Sequence, residues 1–450
     1  MARFERRMVS RARMAALALS VIAGAFATRT QAVEIQEVVS PDGIEAWLVE
    51  EHSIPLIAIE IAFRGGAALD PDGKDGLAFM VSGLLDEGAG DLDAQAFQEQ
   101  LEDRAIRMSF DAGRDHFTAS MRTLSENRDQ AFDLLGLALT APRFDDDAVA
   151  RIRGQVQALL ASRAEDPNAI ASRRWYQGMF GAHPYGRSME GTAETVAALT
   201  VDDLRGFVTS RIACDNMTIA VVGDIDAATL GDVLDRAFAN LTEQSAAFRI
   251  PEFKAESRAG IEVVRREVPQ SVMLFGHRGI KRNDPDWYGA VVMNYILGGG
   301  GFSSRLMTEV REKRGLAYSV SSGFRPFEHA GLFLGGAGTE NARAAETMAL
   351  IRAEIARLHR EGVDETELAD AKTYLTGSFA LNFASSGQIA SRLVAIQLNQ
   401  LGIDYIDRRN GYIEAVSASQ IKRVAGRLLQ PDNLFWVVVG DPQGLEAVAD

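Results

Sequence analysis

The chain has 450 residues, 47% of them hydrophobic, with 62 acidic against 47 basic side chains and a formal net charge of −15. An acidic chain without a basic block repels nucleic acid and anionic lipid surfaces, so neither is an expected partner. Cys214 is its only cysteine, which excludes an intrachain disulfide and any cysteine-based metal site.

Residues 1–32 read as a secretory signal peptide. Arg3, Arg6, Arg7, Arg11 and Arg13 form a basic start, and Met14 to Ala27 is an apolar run of 14 residues. Thr30-Gln31-Ala32 then offers a small-residue cleavage site, with cleavage after Ala27 as the alternative. The run is shorter than the ~20 residues of a spanning helix, and no cysteine follows it to carry a lipid. Six arginines and one glutamate leave with this segment, a net +5, so the mature chain goes from −15 to −20. In a bacterium that chain is expected in the periplasm, off the membrane once the signal is cleaved.

The remainder reads as one unit written twice. Asp215-Asn216-Met217 through Val221-Val222-Gly223-Asp224 matches Asp432-Asn433-Leu434 through Val438-Val439-Gly440-Asp441 without a gap. Leu199-Thr200 with Asp203-Leu204-Arg205 aligns with Val416-Ser417 and Gln420-Ile421-Lys422, each a helix opening with a hydroxyl N-cap. Arg64-Gly65 with Asp70-Pro71-Asp72 likewise matches Arg278-Gly279 with Asp284-Pro285-Asp286. Repetition at a nearly constant offset implies two copies of about 200 residues. In order, an apolar strand opens each copy (Leu56 to Phe63; Val272 to Phe275), and the Asp-Pro turn leads into a first helix. Further strands follow (Arg107 to Arg122; Ala317 to Phe324 and Gly331 to Gly335), then long helices, a closing helix and a terminal strand. Met348, Ile351, Ile355 and Leu358 recur at helical spacing as core, and Asp364-Glu365-Thr366-Glu367 is a capping box. Uneven blocks of helices and strands argue an α+β fold, each copy a mainly antiparallel sheet with helices packed on it. The expected domains are 33–241 and 261–450, joined by a linker over 242–260.

Gly298 to Val320 reads GGGGFSSRLMTEVREKRGLAYSV. This segment resembles the second-half signature of the pitrilysin and mitochondrial-processing-peptidase family, the inverzincin metallopeptidases. His183-Pro184-Tyr185-Gly186 with Gly191-Thr192 and the Asp70-Pro71-Asp72 lead-in support the resemblance, which runs over nearly the whole mature chain. It implies two homologous domains arranged like half of a clam-shell, with a peptide held between the halves. It also implies that Arg311 and Tyr318 are substrate-binding groups that stabilise the transition state, and that Gly298, Gly299, Gly300 and Gly301 form a substrate-handling loop. Spacing alone gives plainer readings: Arg311, Lys313 and Arg314 as cations at the C-terminus of a Ser303 to Arg314 helix closed by Gly315, and Tyr318 as a half-buried strand aromatic.

The family's first-half signature is present only as a frame. Gly76-Leu77-Ala78-Phe79-Met80-Val81-Ser82-Gly83-Leu84 carries Phe79, Ser82 and Gly83 where active members place His-x-x-Glu-His. Two histidines four apart share one helix face and can hold zinc, with the glutamate as general base. Here no two of His52, His116, His183, His277, His329 and His359 are four apart. Gln157-Ala158-Leu159-Leu160-Ala161, where the resemblance expects a further carboxylate ligand, has none. His183 reads as a structural group in its turn, and Cys214 as a small buried one. No metal or cofactor is expected in this chain. The resemblance implies zinc in a homologous partner subunit, a heterodimer inactive in its separate parts, and a peptide or unfolded protein as substrate. The rival reading is a degenerate homologue that only scaffolds or binds peptides.

Overall fold

In the computed structural model the described residues are 34–446 except 248 and 255–257, so the proposed signal peptide lies outside them. Among them stand two sheets of one design. In the first, β1 (Gln36–Val39), β2 (Glu45–Glu50), β3 (Leu56–Arg64), β4 (Arg107–Ala112), β5 (His116–Leu124) and β6 (Met217–Gly223) lie in the order β1, β2, β6, β3, β5, β4. In the second, β7 (Gly260–Arg265), β8 (Gln270–Arg278), β9 (Ala317–Pro326), β10 (Gly331–Glu340) and β11 (Phe435–Gly440) lie in the order β7, β11, β8, β10, β9. Apart from β1 the two orders superpose. The pairing senses agree as well: β2 with β6 and β7 with β11 are parallel, and the other ladders are antiparallel. The duplication read from sequence is therefore a duplicated topology, in an α+β fold.

Strand patterning decides which face each sheet buries. In β3, Ile57, Ile59, Ile61 and Phe63 alternate into the first core, with Phe117, Ala119 and Met121 of β5 beside them. Met273 and Phe275 of β8 do the same in the second core with Phe333 and Trp436. β10 runs to Glu340, beyond the expected end at Gly335. Its glycine there is a packing requirement, since a Cβ on Gly335 would lie 2.2 Å from the Phe275 ring.

The parallel strands that precede β3 and β8 were not expected, and with them comes an exchange of helices. Helix Pro167–Phe180, encoded in the first half, packs on β8 and β11 of the second sheet. There Trp175 is fully buried and its indole N–H donates to the Phe435 carbonyl at 3.1 Å. Helix Ser386–Leu398, encoded in the second half, packs on β3 and β6 of the first sheet, where Gln397 donates to the Ile219 carbonyl at 3.0 Å. The first of these contacts is an apolar third core of Ile170, Trp175, Phe180, Leu332, Phe435 and Val437. Ile250 joins it and Phe253 packs on it, so the expected linker is pinned to the body at those positions.

The repeated Asp-Pro turns are held by hydrogen bonds and ion pairs. Asp70 accepts from the backbone N–H of Gly76 at 3.1 Å and of Ala78 at 3.3 Å, capping helix Leu77–Ser82, and from Arg211 at 3.0 Å. In the second half Asp284 and Asp286 accept from Arg427 and Arg423. His183 is a structural group in its turn: its Nδ1 accepts from the Tyr185 N–H at 3.1 Å and its Nε2 lies 2.8 Å from the Pro251 carbonyl. The Tyr185 hydroxyl donates to Asp115 and accepts from the His329 N–H at 3.1 Å, tying the first half to the β9–β10 turn. Among the described residues no helix is long and apolar enough to cross a membrane.

Candidate functional site

The segment around Arg311 is built on two widened helical turns. Helix Trp287–Asn294 passes into a π turn over Tyr295–Gly299. Asn294 and Ser322 lock it to β9: the Asn294 amide donates to the Ser322 carbonyl at 2.9 Å and accepts from the Ser322 hydroxyl at 2.8 Å, all buried. The glycines sit against this lock. A Cβ on Gly298 would come within 2.5 Å of Ser322 Oγ, one on Gly299 within 2.7 Å of Asn294 Nδ2, and one on Gly300 within 2.7 Å of the Tyr295 carbonyl. Only Gly301, at φ +57 with open space around it, has the freedom expected of the whole run. Three of the four glycines are there for close approach.

The expected single helix over Ser303 to Arg314 is a shorter, wider device. Ser304 Oγ accepts from the Met307 N–H at 3.5 Å at its start and donates to the Gly301 carbonyl at 2.7 Å, and Arg305 anchors it by a bidentate pair with Glu367 at 2.7 and 2.6 Å. Met307–Glu312 then forms a second π turn with Val310 fully buried. π turns place side chains out of the usual 3.6-residue register and are frequent at functional sites. Gly315 closes it at φ +60, donating to the Arg311 carbonyl at 2.8 Å. The Leu316 carbonyl accepts from Thr339 at 2.5 Å, and β9 begins one residue later.

Three cations were grouped at this helix end, and the structure separates them. Glu309 takes Lys313 and Arg314, each at 2.7 Å, and their hydrogen bonds hold its carboxyl below the usual range. Arg311 has no carboxylate in ion-pair distance among the described residues. Its guanidinium carbon lies 4.8 Å from the centre of the Phe302 ring and 5.5 Å from that of Tyr318. Both rings face solvent, Phe302 at 62% exposure and Tyr318 at 75%, so Tyr318 is not the half-buried aromatic that spacing alone suggests. Phe302 escaped the sequence reading; its signal was a large aromatic directly after four glycines, where a flexible tip would carry a polar residue.

The metal frame in the first half does not suit zinc. Phe79 packs against the first core, Ser82 turns its hydroxyl back to the Phe79 carbonyl at 2.8 Å, and a Cβ on Gly83 would meet Ile152 Cγ2 at 3.2 Å. Aliphatic carbon fills the space a second ligand would need. Among the described residues no group of three or more His, Cys, Asp or Glu side chains is placed to share a metal.

Two family models match, described as "Insulinase (Peptidase family M16)" over residues 47–193 and "Peptidase M16 inactive domain" over residues 198–375. An uncharacterized zinc protease of Streptomyces coelicolor is 30% identical over 321 residues, covering 68% of this chain and 68% of that protein. The chain belongs to the M16 peptidase family. Within M16 it is also 29% identical to a protein of Helicobacter pylori named a non-peptidase homolog, over 76% of this chain and 79% of that one. Among solved structures, a peptidase M16 inactive domain from Pseudomonas fluorescens superposes with a TM-score of 0.86 at 29% identity. The match covers 92% of this chain and 100% of that one. A protease from Helicobacter pylori superposes at 0.83 with 20% identity, covering 91% and 100%, and shares the fold. This M16 chain carries Phe79, Ser82 and Gly83 where active members place their His-x-x-Glu-His residues.

Proposed function

We propose that this chain is the zinc-free subunit of a secreted, composite M16 peptidase, placed in the periplasm by its signal segment. One observation carries the reading. Among the described residues Arg311 is left without a carboxylate while its neighbours Lys313 and Arg314 share one, and it sits against two exposed aromatic rings. Folding gains little from such an arrangement, because an exposed cation–π contact is worth only ~0.5–1 kcal/mol. Recognition of a peptide uses all of it: the guanidinium and the Tyr318 phenol donate to backbone carbonyls, and Phe302 supplies an apolar contact.

A homologous M16 partner with His-x-x-Glu-His supplies the zinc and its activated water. At that partner's site Tyr318 and Arg311 donate hydrogen bonds to the scissile carbonyl as negative charge develops on its oxygen. Gly301 gives the adjoining loop its play, Gly298 lets the backbone lie close to Ser322 of β9, and Gly299 and Gly300 let it lie close to Asn294 and Tyr295. The alternative is a degenerate homologue that only scaffolds, which leaves the solvent-facing pair unexplained, or that only binds peptides, which predicts no hydrolysis by the mixture below.

Reconstitution tests the proposal. The mature chain is mixed with the zinc-bearing M16 homologue of the same organism, and light scattering, bound zinc and peptide hydrolysis are measured. The proposal requires a 1:1 complex, zinc stoichiometric with the partner alone, and hydrolysis only by the mixture. A partner equally active by itself, or a tightly bound zinc on this chain, removes it.

A further inference from the structure

A second site lies in the first half, away from Arg311. A pocket of about 130 Å³ opens between helices Asp146–Glu165 and Pro167–Phe180 and the loop that follows His183-Pro184-Tyr185-Gly186. Its lining includes Arg114, Arg163, Arg173 and Arg187, against the single carboxylate of Glu190. The chain as a whole has 62 acidic and 47 basic side chains, so four guanidinium groups around one small pocket run against its composition.

Internal partners account for two of the four. Arg163 pairs with Glu190, and Arg187 lies 3.2 Å from Asp72 and from Asp75. Arg114 and Arg173 have no carboxylate within ion-pair distance among the described residues. Arg114 is nevertheless fixed in place: one nitrogen donates to the carbonyls of Tyr185 at 2.8 Å and Arg187 at 3.1 Å, and its guanidinium carbon lies 4.3 Å from the centre of the Tyr176 ring. Burial pulls its pKa below the usual arginine value, against the opposing pull of Tyr176, Glu190 and Asp115. Arg187 adds a buried Nε–H with no acceptor.

We infer that this pocket binds a small oxyanion, phosphate or a peptide carboxylate, between Arg114 and Arg173. The pocket has room for a group of phosphate or carboxylate size. Guanidinium forks suit these oxygens because two N–H donors reach two oxygens of one anion. Arg114 supplies the preset donor, and Arg173, exposed on helix Pro167–Phe180 and without an ion pair among the described residues, supplies the second. The inference is independent of the peptidase-subunit reading, since its test reads binding and not hydrolysis.

The experiment is calorimetric titration of the full mature chain at fixed ionic strength, with three probes: inorganic phosphate, a short peptide acid, and the same peptide as its C-terminal amide. Arg173→Ala is the main variant because this exposed side chain makes no ion pair or side-chain hydrogen bond among the described residues. Arg173→Lys asks for the fork, and Arg174→Ala, one residue along and paired with Glu262 at 3.5 Å, is the control. The expected result is saturable binding of phosphate or of the peptide acid, weakened at least tenfold by Arg173→Ala, partly regained by Arg173→Lys and unchanged by Arg174→Ala. Phosphate alone binding names free phosphate as the source; the acid binding while its amide stays silent names a peptide terminus. Absence of saturable binding by either anion, equal binding of acid and amide without phosphate binding, or unchanged affinity in Arg173→Ala overturns the inference.

Discussion

The Arg311 guanidinium carbon stands 5.5 Å from the centre of the Tyr318 ring, with the ring 75% exposed to solvent. The contact is held by chain geometry on both sides: a π turn carries Arg311, and Gly315 with the Thr339 hydrogen bond sets where β9 and Tyr318 begin. Removing the guanidinium therefore leaves the scaffold intact. Arg311→Ala is expected to change unfolding free energy by no more than ~1 kcal/mol, while hydrolysis by the reconstituted complex falls at least tenfold. Denaturant unfolding of the variant alone, set beside its kinetics in the complex, checks both halves of the statement.

The glycine run makes a graded prediction. Gly298→Ala drives a methyl into Ser322 Oγ and Leu306, so ~1–3 kcal/mol of stability is expected to go, as for overpacking in a close-packed interior. Gly301→Ala meets no atom within 4 Å and costs only the strain of φ +57, about 1 kcal/mol. Chemical denaturation of the two variants tells them apart. Equal effects would mean that the run is a loose tip after all.

Glu60 gives a pH dependence. It sits on β3 facing the exchanged helix Ser386–Leu398, in a cavity lined also by Ser120 and Gln388, and burial, helped by Asp111, pushes its pKa up to about 7. The folded value lies above the ordinary 4.5, so the folded state holds the proton more tightly. Its stabilising contribution is complete below about pH 4.5 and is lost as pH rises through about 7. Glu60→Gln, which stays neutral, is expected to gain on the order of 1 kcal/mol over the wild type at pH 8 and nothing at pH 4. Thermal unfolding at the two pH values measures the difference. A variant less stable than wild type at pH 8 would show that the carboxylate is paired.

The duplicated topology was legible because each copy keeps its own caps and turns. Thr200 and Ser417 accept from the N–H three residues on, and Asp364 forms its capping box with Glu367. Local chemistry of this kind survives in any tertiary setting. The exchange of helices was not legible: Trp175 and Gln397 take their partners 260 and 178 residues away, and no local pattern encodes that distance. The same holds at the site. Arg311 and Tyr318 came from a motif, whereas the contact of Phe302 with Arg311 and the Asn294–Ser322 pair depend on π turns whose register differs from the 3.6-residue helix used to read the sequence.

The central claim is that Tyr318 acts on substrate and not on the fold. Tyr318→Phe removes one hydroxyl from an exposed ring, and Arg314→Ala removes a cation four residues away that is bound to Glu309 at 2.7 Å. The deciding measurement is kcat/KM for peptide hydrolysis by the complexes reconstituted with each variant and with the wild-type chain. A loss of roughly a hundredfold or more for Tyr318→Phe, the usual cost of one oxyanion donor, with Arg314→Ala within about twofold of wild type, is the predicted result. Near-wild-type rates for both variants would contradict it and leave this chain a scaffold.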